Sequence, residues 1–300
     1  MHATLEHLRG TVGVWTTTHE SVLPSQAGAV ASGVEADGFS AFWIPEAWGR
    51  EAMTSAQLLL ASSSRLVVAT GIASIYARDA MAAMAGARTL TELSAGRFVL
   101  GLGVSHRPLV ERGRGGAYDP PIAAMTAYLD ALDTAAMFSV EHDSVPPVVL
   151  AALGPRMLEL AATRTDGALS YLVTPAHTSR ARAVLGDMGF LAVEQSVVLG
   201  EDRAEYLRRA HEHLNIYTGL ENYRASWRRL GFGDDDFVRG GSDRLCDALV
   251  AHGDASEVRR KVDEHVDAGA DHVCIQVLGS TLTEVPTQQW AELAGALTRP

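Results

Sequence analysis

The residues with most chemical promise in this 300-residue chain are glycines and arginines set just behind apolar runs. Gly101 and Gly103, in Arg97-Phe98-Val99-Leu100-Gly101-Leu102-Gly103-Val104-Ser105-His106, resemble half of a dinucleotide fingerprint. His106 stands where the third glycine should be, so the fingerprint is not met. Two readings of the pair stand: relief of crowding inside a small closed sheet, or close approach of a ligand to a strand end. Its place at the C-terminal end of a strand favours the ligand. In Val148-Val149-Leu150-Ala151-Ala152-Leu153-Gly154-Pro155-Arg156, a strand runs through a glycine turn into a helix opened by proline. Free N–H groups and the helix dipole suit an anion there, and Arg156 adds a charge, although an ordinary turn would use the same Gly-Pro. Arg107, Arg112 and Arg114 form a cationic loop, read either as a receptor for an anionic tail or as a solvated surface.

Other chemistries are missing their residues. There is no Gly-x-Ser-x-Gly elbow and no Walker loop. His211 and His213 lie two apart on a helix and so face different ways, and no metal site is expected. His265 and His272 have no partner that spacing supplies, and His19, just beyond the first strand, reads as solvent-exposed in preference to a residue of the catalytic face. Cys246 and Cys274 show no metal spacing and read as reduced thiols. A net charge of −11 argues against nucleic acid and anionic membrane as partners. No signal-peptide pattern or membrane-length apolar run appears, so a cytoplasmic protein is expected.

Short β-branched runs at 10–16, 41–45, 66–73, 97–103, 148–152, 167–173, 191–199 and 272–278 read as strands. Helical stretches at 25–37, 54–62, 79–93, 122–137, 155–165, 175–188, 203–229 with 242–251, and 255–268 alternate with them, and 287–298 forms a terminal helix. Glycines at 38, 96, 167 and 269 end helices and turn the chain back toward the sheet. Strand-then-helix repeated in this way implies parallel pairing, and the count favours a closed (β/α)8 TIM barrel over an open sheet. Residues 1–300 read as a single α/β domain. The connection between the seventh and eighth strands is too long, and about 201–242 reads as a helical insertion: a candidate lid, or an outer helical pair with a buried aromatic seam.

Five segments, in order along the chain, resemble the luciferase-like flavin- and deazaflavin-dependent oxidoreductases, and more closely the coenzyme F420 subgroup. They are Ala41-Phe42-Trp43-Ile44-Pro45-Glu46-Ala47-Trp48-Gly49-Arg50-Glu51, Ala69-Thr70-Gly71-Ile72-Ala73, Leu100-Gly101-Leu102-Gly103-Val104-Ser105-His106-Arg107-Pro108, Ala152-Leu153-Gly154-Pro155-Arg156-Met157 and Asp271-His272-Val273-Cys274. Ala80 departs from the pattern where a proline is expected, and should weaken that helix start. The resemblance implies a homodimer with the cofactor ring across the C-terminal mouth of the barrel. It implies that Ala152, Gly154, Pro155 and Arg156 hold the cofactor phosphate. A bulge at Gly71-Ile72, often with a non-proline cis peptide, would support the ring, and Glu46 with Gly103, Val104, Ser105 and His106 would lie beside it.

The expected activity is hydride transfer between coenzyme F420 and a small organic substrate. An FMN-dependent monooxygenase and a non-catalytic flavin-binding relative are the alternatives. Hydride transfer to a carbonyl or imine leaves a proton to be handled at the same centre, and a group titrating near neutrality does this best. His106 and Glu46 each follow a strand by a few residues on the catalytic face, so they are the expected acid–base residues, with Glu46 as alternative or orienting neighbour. A loop histidine bonded to a backbone carbonyl is the competing reading of His106.

Overall fold

Strands with both faces covered need apolar residues on both faces, and that is what the β-branched runs provide. The computed structural model describes residues 2–135 and 145–298. Its strands are β1 (Thr11–Trp15), β2 (Ala41–Ile44), β3 (Val67–Thr70), β4 (Ala73–Ser74), β5 (Phe98–Gly103), β6 (Val148–Ala151), β7 (Gly167–Ser170), β8 (Phe190–Leu199), β9 (Val250–Gly253) and β10 (His272–Val277). Eight of them form a closed parallel barrel in the order β1-β2-β3-β5-β6-β7-β8-β10, with β10 pairing both β8 and β1. The expected TIM barrel is therefore the fold. β4 adds to β5 and β9 to β8.

The period-two alternation of strands sorts the side chains. Trp15, Trp43, Ala69, Val99, Val149, Leu169, Phe190 and Cys274 fill the barrel interior. Phe42, Ile44, Val68, Leu100, Leu150 and Ile275 point outward into the layer beneath the helices. Those helices are α1 (Ala3–Leu8), α2 (Pro24–Ala36), α3 (Ala52–Ala61), α4 (Ala80–Leu93), α5 (Pro121–Asp133), α6 (Pro155–Arg164), α7 (Pro175–Leu185), α8 (Arg203–Tyr217), α9 (Glu221–Arg229), α10 (Asp243–Leu249), α11 (Ala255–Asp267) and α12 (Thr287–Leu297). The α1 helix, which the sequence reading lacked, buries Leu5 and Leu8 in the interior cluster and plugs the N-terminal end.

Several boundaries differ from expectation for physical reasons. Gly38, Gly96 and Gly269 take left-handed φ of 91°, 89° and 101° as expected, but Gly167 does not. It opens β7, where a Cβ would stand 1.9 Å from the Phe190 carbonyl oxygen, so close strand approach is what demands glycine. The expected strand at 66–73 breaks after Thr70 into a bulge with a cis Gly71-Ile72 peptide. The helix at 203–229 divides into α8 and α9 around Thr218-Gly219-Leu220, and the one at 242–251 gives way to β9. α4 starts at Ala80 without its proline because Asp79 caps it, accepting from Ala82 N at 2.9 Å. Of the helix expected at 122–137, residues 136 and 137 lie outside the described residues.

The insertion has an apolar cluster of its own, with Tyr206, Tyr223, Trp227, Phe237 and Leu245 buried in it. The aromatic seam is thus present. Leu172 and Val198, from the ends of β7 and β8, belong to the same cluster, so the segment also packs onto the C-terminal end of the barrel strands. His19, read as exposed, is 1% exposed and packs edge-on against Phe42. Burial and the Arg50 charge lower its pKa to about 4. Among the described residues no helix is long and apolar enough to cross a membrane, and no group of three metal-type ligands comes together.

Candidate active site

The bulge after β3 builds the floor of the barrel mouth. Trp15 Nε1 donates to the Gly71 carbonyl at 2.8 Å, Gly71 N donates to Ile44 O at 2.7 Å, and Glu46 N donates to Ile72 O at 2.9 Å. These bonds tie the bulge to β1 and to the end of β2. The glycines of β5 answer to this bulge. A Cβ on Gly101 would lie 1.9 Å from Thr70 O, and one on Gly103 would lie 2.5 Å from the Ile72 side chain. The space above both is filled by protein, so crowding accounts for their type without a ligand.

Glu46 is 6% exposed and fully engaged. Arg78 grips both its oxygens, Ser74 N donates to Oε2 at 2.9 Å, and Ala52 N donates to Oε1 at 3.3 Å. These partners tie together the loops after β2 and β4 and the start of α3. His106 is held differently. It is half-buried, its ring stands 5.8 Å from that of Tyr223, and its ring nitrogens have no hydrogen bond among the described residues. Burial lowers its pKa, which favours the neutral imidazole. The preceding Ser105 has a left-handed φ of 54°, which turns the chain out of β5 at a conformational cost of about 1–2 kcal/mol. No contact joins Glu46 to His106. Of the arginine loop, Arg107 pairs with Glu111 at 2.6 Å and lies 5.0 Å from the Tyr118 ring, and Arg114 lines a groove of about 450 Å³ with Glu46, Trp48 and Arg50.

At the α6 start, Gly154 is the N-cap, Pro155 follows at the first helical position, and Arg156 is exposed. The turn gathers two further arginines that sequence spacing does not reveal. Arg229 of α9 donates to Leu153 O at 3.0 Å, and Arg180 of α7 donates to Arg229 O at 2.5 Å. Burial and the charge of Arg180 lower the Arg229 pKa, a sign of cations crowded without a counter-anion between them. A Cβ on Gly154 would meet only Arg229, at 3.8 Å, so the space over this helix end is open. In the first turn Pro155 has no N–H and Met157 N donates to Gly154 O at 3.1 Å, so the Arg156 amide with these guanidinium groups could hold an anion.

A second polar group at the mouth also escaped the sequence reading. Tyr171, just past β7, lies with its ring 5.0 Å from that of Trp15 and tilted to it by 48°, and donates to Gln276 Oε1 at 2.7 Å. Its hydroxyl also lies 3.1 Å from that of Tyr217 and 3.4 Å from His213 Nε2, both on α8. His211 turns elsewhere, to Gly240 O and Asp243, so the two α8 histidines do diverge. Glu194 lies within the barrel wall, accepting from Ser196 Oγ at 2.7 Å and from Leu172 N at 3.1 Å. Burial raises its pKa to about 7 and lowers that of His213 to about 4. Leu172 has a left-handed φ of 52° and is clasped from both sides, by Glu194 at its N–H and by Trp227 Nε1 at its carbonyl, 3.1 Å away. The signal in sequence was the alternation of β8, which places Glu194 and Ser196 inward beyond Phe190 and Ala192.

The sequence pattern of the luciferase-like monooxygenases matches residues 9–272. The chain belongs to that family. Among its relatives is a Mycobacterium tuberculosis protein named as a coenzyme F420-dependent oxidoreductase, 26% identical over 80% of this chain and 87% of that one. Its barrel matches that of an F420-dependent secondary alcohol dehydrogenase, solved with an F420-acetone adduct, at a TM-score of 0.73 and 13% identity. That match covers 97% of this chain and 100% of the other. The EDTA monooxygenase of Chelativorans sp. BNC1 also matches at 0.73 and 13% identity, over 96% and 93% of the two chains. This luciferase-like chain is thus an oxidoreductase-family enzyme. Trp15, Ile72 and Tyr171 could support a cofactor ring, and the arginines around Gly154 could hold an anion.

Proposed function

We propose that the protein transfers a hydride between the deazaflavin coenzyme F420 and a small organic substrate. The observation that carries this reading is the open helix start at Gly154, ringed by Arg156, Arg180 and Arg229 at the edge of the mouth. The similarity to the named F420-dependent oxidoreductase supports the choice of cofactor, as do the exposed arginines at 112 and 114, which suit an anionic tail. When bound, the deazaflavin supplies a carbon that gives or accepts a hydride. Gly154, Pro155 and Arg156 with Ala152 would hold its phosphate, and Gly71 and Ile72 would support its ring. Gly103, Val104 and Ser105 carry the chain to His106, the proposed proton carrier, whose free nitrogens leave it able to bond a substrate. Glu46 acts as its supporting residue by fixing the neighbouring loops through Arg78, Ser74 and Ala52. The α8–α9 segment covers the mouth as a lid.

A second reading, an FMN-dependent monooxygenase, is favoured by the family's description and by the EDTA monooxygenase's similar barrel. Titrating the purified protein with deazaflavin and with FMN decides between them. Low-micromolar binding of FMN with none of the deazaflavin would overturn the proposal. Gly154→Asp should abolish, and Arg156→Ala weaken, whichever binding is seen.

A further inference from the structure

Hydride transfer with His106 as proton carrier leaves the Glu194 network without a task. Ser196 Oγ donates to Glu194 Oε1 at 2.7 Å and stands 3.2 Å from His213 Nε2, which stands 3.4 Å from Tyr171 Oη. Glu194 is 1% exposed, and no cation contributes to holding its charge. His213 and Tyr171 keep partial exposure, so the outer end of this row faces the mouth while the inner end is sealed. The row has members from two parts of the fold, β8 with the β7 end and the α8–α9 segment. It is complete only with that segment docked.

We propose that Glu194, Ser196, His213 and Tyr171 form a proton-conducting chain between a buried carboxyl and the barrel mouth. Running outward, Glu194 gives its proton to Ser196 Oγ, which passes its own to His213 Nε2. The imidazole passes a proton to Tyr171 Oη as that hydroxyl, turning from Gln276 Oε1, releases its own at the mouth, where it replaces the proton that His106 gives to an oxygen of the substrate. One O–H bond breaks at Glu194 and one forms on the substrate, and no electrons move along the chain. The electron pair arrives as the hydride, so this use of the chain rests on the reading above. Glu194 is left as a carboxylate and is reprotonated from water between turnovers. Reversal of every step serves oxidation of an alcohol. The substrate class implied is one whose oxygen gains or loses a proton as carbon gains or loses hydride, a ketone or aldehyde and its alcohol.

The groups around the carboxyl suit this use. Cys274 of β10, Tyr217 of α8, Tyr223 of α9 and Tyr171 itself feel the charge of Glu194, and none of them is a cation. With burial holding its pKa at about 7, both protonation states are populated near neutrality. His213, neutral at that pH, can accept a proton on the nitrogen that faces both neighbours.

Infrared titration of the cofactor-free protein between about pH 5 and 9 tests the chain by reading the protonated carboxyl that Glu194→Gln abolishes. The native midpoint should lie near 7, and Ser196→Ala and His213→Gln should each move it by roughly half a unit or more. Tyr171→Phe keeps the packing and should also move it, by less. A midpoint untouched in all three folded variants, or a carboxyl ionised over the whole range, overturns the proposal. The parallel deazaflavin titration keeps the two readings apart: loss of cofactor binding would refute the hydride reading while the infrared result still decides the chain.

Discussion

Arg78→Met removes the cation that holds Glu46, and its cost can be worked from the contacts. The Glu46 side chain is 4% exposed and that of Arg78 is 11% exposed, so the pair is buried. After the substitution Glu46 keeps only the Ser74 and Ala52 amides. A buried carboxylate stripped of its cation costs about 3–5 kcal/mol. The second partner of Arg78, Glu51, sits at 2.6 Å but is 47% exposed, so water replaces that contact and it adds little. Glu46→Gln should be milder, about 1–3 kcal/mol, because Arg78 retains Glu51 and the amide still accepts a hydrogen bond. The double variant should recover part of the Arg78→Met loss, giving a coupling of about 1–3 kcal/mol in the cycle. Urea unfolding of the four proteins measures this. A cost below about 1 kcal/mol for Arg78→Met would mean that the pair behaves as a surface pair. Glu46 would then be free for proton transfer, and its assignment as a supporting residue would fall.

His106→Ala should lower turnover by about 10²–10⁴-fold with cofactor affinity nearly unchanged; full turnover would move the role elsewhere at the mouth. Thermal melts against pH should show two opposed slopes. His19, His213 and His272 are held at about 4 and His265 at about 3 by burial, against 6.5 unfolded, so unfolding takes up protons and stability falls as pH drops below about 6.5. Glu194 acts the other way: raised to about 7 from 4.5, it binds a proton in the fold that the unfolded chain releases, so its contribution declines as pH rises from 4.5 through 7. Glu194→Gln should remove that neutral-side decline and leave the acid limb, and an unchanged profile would count against burial as the cause.

The barrel was legible because its punctuation is local. Gly38, Gly96 and Gly269 end helices by conformations that only their own neighbours require, and the β-branched runs repeat between them. The helix start after β6 was legible for the same reason, since Gly154, Pro155 and Arg156 are consecutive. Arg180 and Arg229 were not, because they reach Leu153 and each other from helices 49 residues apart. β9 was hidden because Val250 and Ala251 continue a helical apolar pattern, and only the pairing of Ser196 to Leu199 with 250 to 253 makes a strand of them.

The inward face of the barrel shows why a polar row at its mouth carries functional meaning. Deeper positions are apolar or internally satisfied: Phe190, Ala192, Leu169 and Cys274 pack together, and His272 accepts from Trp43 Nε1 at 3.1 Å. At the mouth the same strands carry Glu194, Ser196, Tyr171 and Gln276. A buried carboxyl without a cation costs several kcal/mol of desolvation, and here Leu172 adds a left-handed backbone beside it. Leucine or valine at 194 would avoid that cost and suit the strand better. Groups that oppose folding in this way concentrate where chemistry needs a shifted pKa. Glu194 and Leu172 lie where the α8–α9 segment meets the open end of the strands.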